Sequence, residues 1–390
     1  MSFSNKYKSV ILLGIILLSL VSCKRLFDLM LIESQWTTEN AEYDGGGLNI
    51  ISGFVGPYGI TVKPSGDIYV SELKEGRVVR FDRRLQFRGW LGMVEGVANS
   101  ESGWHFSGQP DRGTEIGMLN MPHSVDFDRA GNIYVADYLN GRVHIYSSLG
   151  IFKGLFFDPP SRPELGFDGC ANANFDNDFN LWVSDFNAHR IFKFNPAGDL
   201  IGWMGQYASG AMTNGFADTG SAQISYEPGG FFKPHMVQVD DAGNLYVVET
   251  GNHRVQKFSQ DGQFLGWIGG RAAGGLTDGW ENTGLSTASD LPGGFNAPVS
   301  LQLVNNEFMI ITDNTNHRIQ KFDIDGHFIG WLGGKSDSTV TMGWETSGLA
   351  GPGDAPGMFL APYDARLHGN KLYVADGHNG RVQIFTLDNP

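Results

Sequence analysis

Residues Pro234 to Gly270 read PHMVQVDDAGNLYVVETGNHRVQKFSQDGQFLGWIGG. Apolar and β-branched runs fall at Met236–Val239, Leu245–Val248, Arg254–Phe258 and Phe264–Ile268. Asp-Ala-Gly-Asn and Gln-Asp-Gly-Gln stand between them and supply the Gly and Asp that hairpins need where φ is positive. No window is long or periodic enough for a helix. The stretch therefore predicts one antiparallel sheet of four short strands.

The chain repeats this unit. The acid closing the second run, Glu249, has counterparts in Glu72, Asp137, Asp185, Asp313 and Asp376. Five residues later an arginine follows in all six copies: Arg77, Arg142, Arg190, Arg254, Arg318 and Arg381. Gly or His precedes that arginine every time. Four strands per unit without helices select an all-β propeller of radially packed sheets, and six copies predict six blades. The first three strands of the blades fall at about 57–82, 121–147, 170–195, 234–259, 298–323 and 362–387. The last copy runs out before its outer strand. A strand borrowed from Leu29–Trp36 is expected to close the ring and remove an exposed edge.

Asn252-His253-Arg254, repeated as Asn316-His317-Arg318, resembles the NHL repeat family. Asn187-Ala188-His189-Arg190, Asn140-Gly141-Arg142 and Asn379-Gly380-Arg381 fit more loosely. The resemblance covers roughly residues 54–387 and implies the six-bladed fold. It implies little about activity, because function sits on sites grafted onto folds.

Most repeats are spaced by about 64 residues, whereas a blade needs about forty. The excess lies between blades and is itself repeated. Outer strands end in Gly89-Trp90, Gly202-Trp203, Gly266-Trp267 and Gly330-Trp331. A second aromatic follows in each insert: Trp104, Phe216, Trp280 and Trp344. Gly229–Pro234, Gly293–Pro298 and Gly357–Pro362 share a Gly-x-Phe-x-x-Pro ending, and Ser52–Pro57 is a serine variant of it. Blade two to blade three is shorter. Strand order places the inserts, the acid–arginine turns and the starts of the inner strands on one disc face, the expected binding face. The repeated aromatics read either as packing or as a rim that stacks on a sugar or a peptide aromatic.

The N-terminus has its own logic. Lys6 and Lys8 precede an apolar run, Val10–Val21, too short to span a bilayer. Leu20-Val21-Ser22-Cys23 resembles a bacterial lipobox, which implies cleavage before Cys23 and lipid on it; the plainer alternative is a secretory signal with a chance cysteine. The expected division is a signal peptide at 1–22, a short tether at 23–28 and the propeller at 29–390. The place is the bacterial cell envelope, lipid-anchored, at the outer membrane or cell surface. Losing Lys6 and Lys8 takes the formal charge from −14 to −16. So acidic a chain disfavours nucleic acid and anionic lipid surfaces as partners. Cys170, the other cysteine, is expected to be a buried small hydrophobe.

A residue present in every blade is explained first by what every blade needs. The acid, the arginine and His189, His253 and His317 are therefore expected to hold turns. The informative positions differ between blades. Fourteen residues before the acid, thirteen in blade six, stand Tyr58, His123, Ala171, His235, Val299 and Tyr363. The next six are Gly59, Ser124, Asn172, Met236, Ser300 and Asp364. Pro122-His123 and Pro234-His235 thus aim two imidazoles at the mouth of the central channel, with Tyr363 and Asp364 from blade six.

These steps resemble the peptidyl-α-hydroxyglycine α-amidating lyases, propellers that hold channel zinc with three histidines and have a calcium site nearby. The resemblance implies His123 and His235 as zinc ligands and Asp364 as the acid of the calcium site. Tyr363 stands where that family has its third histidine, and catalytic zinc normally takes three good protein ligands and a water. No Gly-x-Ser-x-Gly, His-Glu-x-x-His or phosphate-binding loop occurs. Two readings stay open, with a purely structural envelope component as a third. The leading one is a lipid-anchored propeller binding an envelope or extracellular peptide, protein or glycan through Tyr58, His123, His235, Tyr363, Asp364, Trp104, Trp280 and Trp344. The alternative is a metal-dependent lyase or hydrolase with zinc or calcium on His123, His235 and Asp364.

Overall fold

The computed structural model describes residues 36–43, 46–95, 103–156 and 165–387. Six antiparallel sheets of four or five strands form a ring. In the blade read first, the strands are Pro234–Val239, Leu245–Glu249, Arg254–Phe258 and Phe264–Arg271. They match the expected runs to within a few residues. Six buried apolar clusters lie between neighbouring blades, one at each interface. Fully burying one such side chain is worth about 1.5–3 kcal/mol, so the interfaces hold the disc together. Cys170 is fully buried in the cluster between blades two and three, as expected.

The ring closes with a borrowed strand, but not the one expected. Gly46–Ser52 pairs with the last strand, Arg381–Thr386, Leu48 opposite Phe385 and Ser52 opposite Arg381. Thr37–Tyr43 adds a fifth, outermost strand. Leu29–Trp36 does not fill the gap: Trp36 precedes the added strand and packs on Phe54 and Phe81 between blades six and one. The reason is the linker Ser52–Pro57, which follows the closing strand with no insert between them. Residues 1–35, with the expected signal, Cys23 and tether, lie outside the described residues.

The acid and arginine are latches. The acid accepts the backbone N–H seventeen residues upstream in blades one to five, as in Phe232 to Glu249 (2.9 Å) and Asn296 to Asp313 (2.8 Å). In blade six the Leu360 N–H makes the same bond to Asp376 at 2.8 Å. Its arginine pairs with it at 2.5–3.1 Å in all six blades. Arg318 then ties down the preceding insert through the carbonyls of Asp290, Leu291 and Gly294 at 2.8 Å each.

The residue before the arginine has φ between 54° and 63° in all six copies. Only Gly enters that left-handed region freely. Gly76, Gly141 and Gly380 do so where the next blade passes close; a Cβ on Gly141 would meet the Phe167 carbonyl at 2.5 Å. His189, His253 and His317 offset the strain with a bond across blades. Nδ1 accepts the N–H of Lys233 (3.2 Å), Ala297 (2.9 Å) and Ala361 (3.0 Å) respectively.

Candidate functional site

Every inner strand carries a register irregularity at its first step. Pro234 pairs with Glu249 and Met236 with Val248, which leaves His235 unpaired between them. A bulge of this kind re-aims the extra residue. The bulged residues include Tyr58, His123, Ala171, His235, Val299 and Tyr363, the six picked by counting back from the acid. The sequence places this layer because the repeat fixes its register.

The larger rings do not stand apart around the channel. Tyr363, Tyr58, His123 and Tyr138 stack in a column, with successive centroids 4.3, 4.1 and 4.2 Å apart. His235 stands beside it, its Nε2 bonded to the Tyr58 hydroxyl at 2.5 Å. Gly59 allows the close approach, since a Cβ there would lie 2.2 Å from the His123 carbonyl. Tyr58, His123 and His235 are buried. Tyr363 is partly open, and its hydroxyl lies 3.4 Å from Nε2 of His378. Tyr138 and His378 follow the acids in blades two and six, where comparison of the inner strands alone could not find them.

Burial lowers the His123 pKa well below its usual value, helped by the neighbouring His235. Burial also takes His235 down to about 4, against a small opposing effect of the Val299 backbone. Nδ1 of each ring makes no hydrogen bond of normal geometry. Burial, then Tyr363, Tyr138 and Asp364, raise Tyr58 well above the usual phenol range. At neutral pH the cluster is two neutral imidazoles and protonated phenols.

Asp364 is already engaged. One carboxylate oxygen accepts the Ile60 N–H at 2.8 Å and the other the Ala365 N–H at 2.9 Å. Arg366 lies 3.3 Å away and also donates to the carbonyls of Ile60 (3.1 Å) and Leu301 (3.0 Å). A guanidinium thus gathers the carboxylate and carbonyl oxygens that a hard cation would need. The donor set does not fit zinc either. The His123 and His235 planes are 16° from parallel with centroids 5.7 Å apart, and Tyr58 takes Nε2 of His235. Burial raises Tyr363 rather than lowering it toward tyrosinate. Among the described residues no three His, Cys, Asp or Glu side chains converge to hold a metal.

Behind the rings the channel widens into a polar cavity of about 200 Å³. Period-two alternation turns Asp126, Asn174, Gln238, Gln302 and Arg366 into it, below Asn172 and Asp364. Continuing three residues past the mouth positions leads to them. Burial raises Asp126 to about 6, against the backbone N–H groups of Phe175 and Phe127. On the turn-bearing face, Tyr363, His378, Phe54, Leu73 and Lys74 line a second cavity of about 460 Å³.

The insert aromatics are not brought to this site. The inserts begin and end on the turn face, but between those points they run down the outer edge of the disc. Trp280 packs 5.7 Å from Tyr246, under the Lys257 ammonium, and donates to the Ile324 carbonyl of the next blade at 2.9 Å. Trp104 packs likewise on Tyr69 and Arg80 and donates to Ser148. Trp344 packs under Lys321. They pack as partly buried wedges between blades, the packing alternative of the two readings open for them. The Gly-Trp step now has its reason: a Cβ on Gly266 would lie 2.8 Å from that of Trp280.

The NHL repeat family model matches residues 119–146 and 232–258. NHL repeat-containing protein 3 of Mus musculus is 30% identical over 158 residues, 38% of this chain and 37% of that protein. The Mus musculus peptidyl-glycine alpha-amidating monooxygenase is 28% identical over 163 residues, 40% of this chain and 14% of that protein. The matches thus span well under half the length of either relative. An auxiliary nutrient binding protein from Bacteroides ovatus is a solved structure with the same fold, with a TM-score of 0.52 at 14% identity, covering 90% of this chain and 72% of that one. The chain is a six-bladed β-propeller, two of whose repeats match the NHL model, with a weaker similarity to the peptidylglycine α-amidating proteins.

Proposed function

We propose that this chain is a binding propeller of the cell envelope, held to the membrane by lipid on Cys23. It takes a peptide, protein or glycan ligand on the face that carries the acid–arginine turns. The observation that carries the reading is the stack of neutral rings ending at Tyr363, beside an open cavity with His378 and Lys74 on its walls. Such a wall offers a stacking face and a few polar groups, as recognition sites do. Tyr58, His123 and His235 form its buried floor.

The test is a titration of the purified protein against envelope glycans and peptides. Tyr363→Ala and His378→Ala should each weaken binding at least tenfold while leaving the melting temperature within a degree or two. Binding indifferent to both changes would sink the proposed face. Cys23→Ser should release the chain from membranes.

A second reading, a metal-dependent lyase or hydrolase in the channel, is favoured only by the unpartnered Nδ1 atoms of His123 and His235. Stoichiometric zinc in protein purified without added metal, lost in a His123→Ala/His235→Ala variant, would favour it. Protein free of metal, with an unchanged melting curve in chelator, counts against it.

A further inference from the structure

Four outer strands are flanked by the chain's own returning insert. Trp90 pairs with His105, Trp203 with Ala217, Trp267 with Glu281 and Trp331 with Glu345. In blade four the pairing is reciprocal: Trp267 N–H donates to the Glu281 carbonyl (2.7 Å) and Glu281 N–H to the Trp267 carbonyl (3.0 Å). The insert's aromatic then lies over the strand's glycine. A Cβ on Gly89, Gly202, Gly266 or Gly330 would meet the Cβ of Trp104, Phe216, Trp280 or Trp344 at 2.8–3.2 Å.

Blade two keeps the receptor and has a shorter insert. Its outer strand, Phe152–Phe156, has Gly154 at the matching place, and a Cβ there would meet nothing within 4 Å among the described residues. Thirteen residues join Phe156 to Cys170, against thirty between Leu91 and Pro122, and their glycine–aromatic step, Gly166-Phe167, packs on Phe192 and Phe194 in the core between blades two and three. Among the described residues the strand pairs on one side only, with Arg142–Tyr146, and Gly154 and Leu155 have no strand partner on the other side. Leu155 is partly exposed, while its four tryptophan counterparts are buried.

Beside that edge is a cavity of about 500 Å³ with walls from Tyr134, Ile145, Phe175, Phe179 and Pro196. Phe156 leans toward it, 5.9 Å from Tyr134. Each wall matches a contact of a filled slot. Tyr134 corresponds to Tyr246, which touches Trp280. Pro196 occupies the turn position of Ile324, whose carbonyl takes the Trp280 N–H. Ile145 stands where Lys257 covers that ring.

We propose that the outer edge of blade two docks an extended segment of a partner polypeptide bearing a glycine–tryptophan step. The segment adds a strand to Phe152–Phe156 at Leu155 and seats its indole in the slot between Tyr134, Ile145 and the Pro196 turn. Backbone pairing supplies affinity and the ring pocket supplies choice, the logic of strand addition at a sheet edge. The occupant's chemistry is set by the chain itself, which fills three of the four equivalent slots with tryptophan after glycine and the fourth with phenylalanine after glycine. The site is remote from the ring stack and does not depend on the function proposed for it.

The test uses the chain's own insert as probe: a synthetic peptide of residues Thr277–Gly284, TDGWENTG, titrated onto the full protein. Saturable binding is expected, with protection of the Leu155 amide from hydrogen exchange. The tryptophan-to-alanine peptide should bind at least tenfold more weakly. Ile145→Trp, which sets an indole across the strand from Gly154, should keep the fold and lose at least tenfold in affinity. Absence of saturable binding to the wild type would overturn the proposal, as would binding unchanged by Ile145→Trp. Equal affinity for free indole would also overturn it, by showing a ring pocket without strand addition.

Discussion

Replacing Arg366 by alanine tests the channel directly. Its guanidinium pairs with Asp364 and donates to Ile60 and Leu301, so it joins blades five, six and one. The side chains of Arg366 and Asp364 are only 15% and 4% exposed. Removing one partner of a buried pair costs about 3–5 kcal/mol, because the other charge stays behind unpaired. The adjoining cavity admits some solvent, which places the loss near about 3 kcal/mol. At about 2.1 cal/mol/K per residue over roughly 330 residues, that lowers Tm by about 4 °C. The same change frees a carboxylate and two carbonyls, a hard-cation donor set. Scanning calorimetry with and without millimolar calcium should show calcium raising the Tm of Arg366→Ala and leaving the wild type unmoved. Adding Asp364→Asn should recover part of the loss and abolish the calcium effect. A calcium- or zinc-dependent Tm in the wild type would refute the reasoning, as would an Arg366→Ala variant as stable as the wild type.

Asp126, raised to about 6 by burial, favours its protonated form in the fold. Its contribution to stability is therefore full below the usual carboxylate value near about 4 and is lost as pH rises through about 6. The wild type should lose stability relative to Asp126→Asn across that window, read by denaturant titration at pH 4 to 7. His253→Ala should cost about 1 kcal/mol for the lost cross-blade bond, while His253→Gly loses the same bond but is relieved of left-handed strain and should come out near neutral; equal losses would mean the backbone is not strained. Trp280→Ala should destabilise by about 3 kcal/mol through lost packing and leave binding at the Tyr363 face unchanged; the reverse pattern would return Trp280 to a binding rim.

How much was legible in the sequence follows from what a repeat transmits. Strand boundaries, blade number and the latch role of each acid and arginine recur six times, so local pattern and comparison between copies suffice. The mouth layer was legible for the same reason: a bulge at a fixed distance from the acid puts one residue per blade at the channel. The closing strand was misplaced because it occurs once and pairs with the far end of the chain. The sequence leaves both packing and rim open for the insert aromatics, because their path down the outer edge depends on the turn of the next blade, as in Trp280 with Ile324.

The sequence by itself determined the propeller, its register and the bulged position that opens each inner strand, because each is set by short-range spacing repeated around the ring. Only the tertiary structure decided what the side chains there do together. Tyr58 lies between two histidines it never approaches in sequence, and Arg366 takes up oxygens from three blades. Such contacts depend on the closure of the ring, which brings blades one and six together and lets burial rather than residue type set the protonation of the mouth.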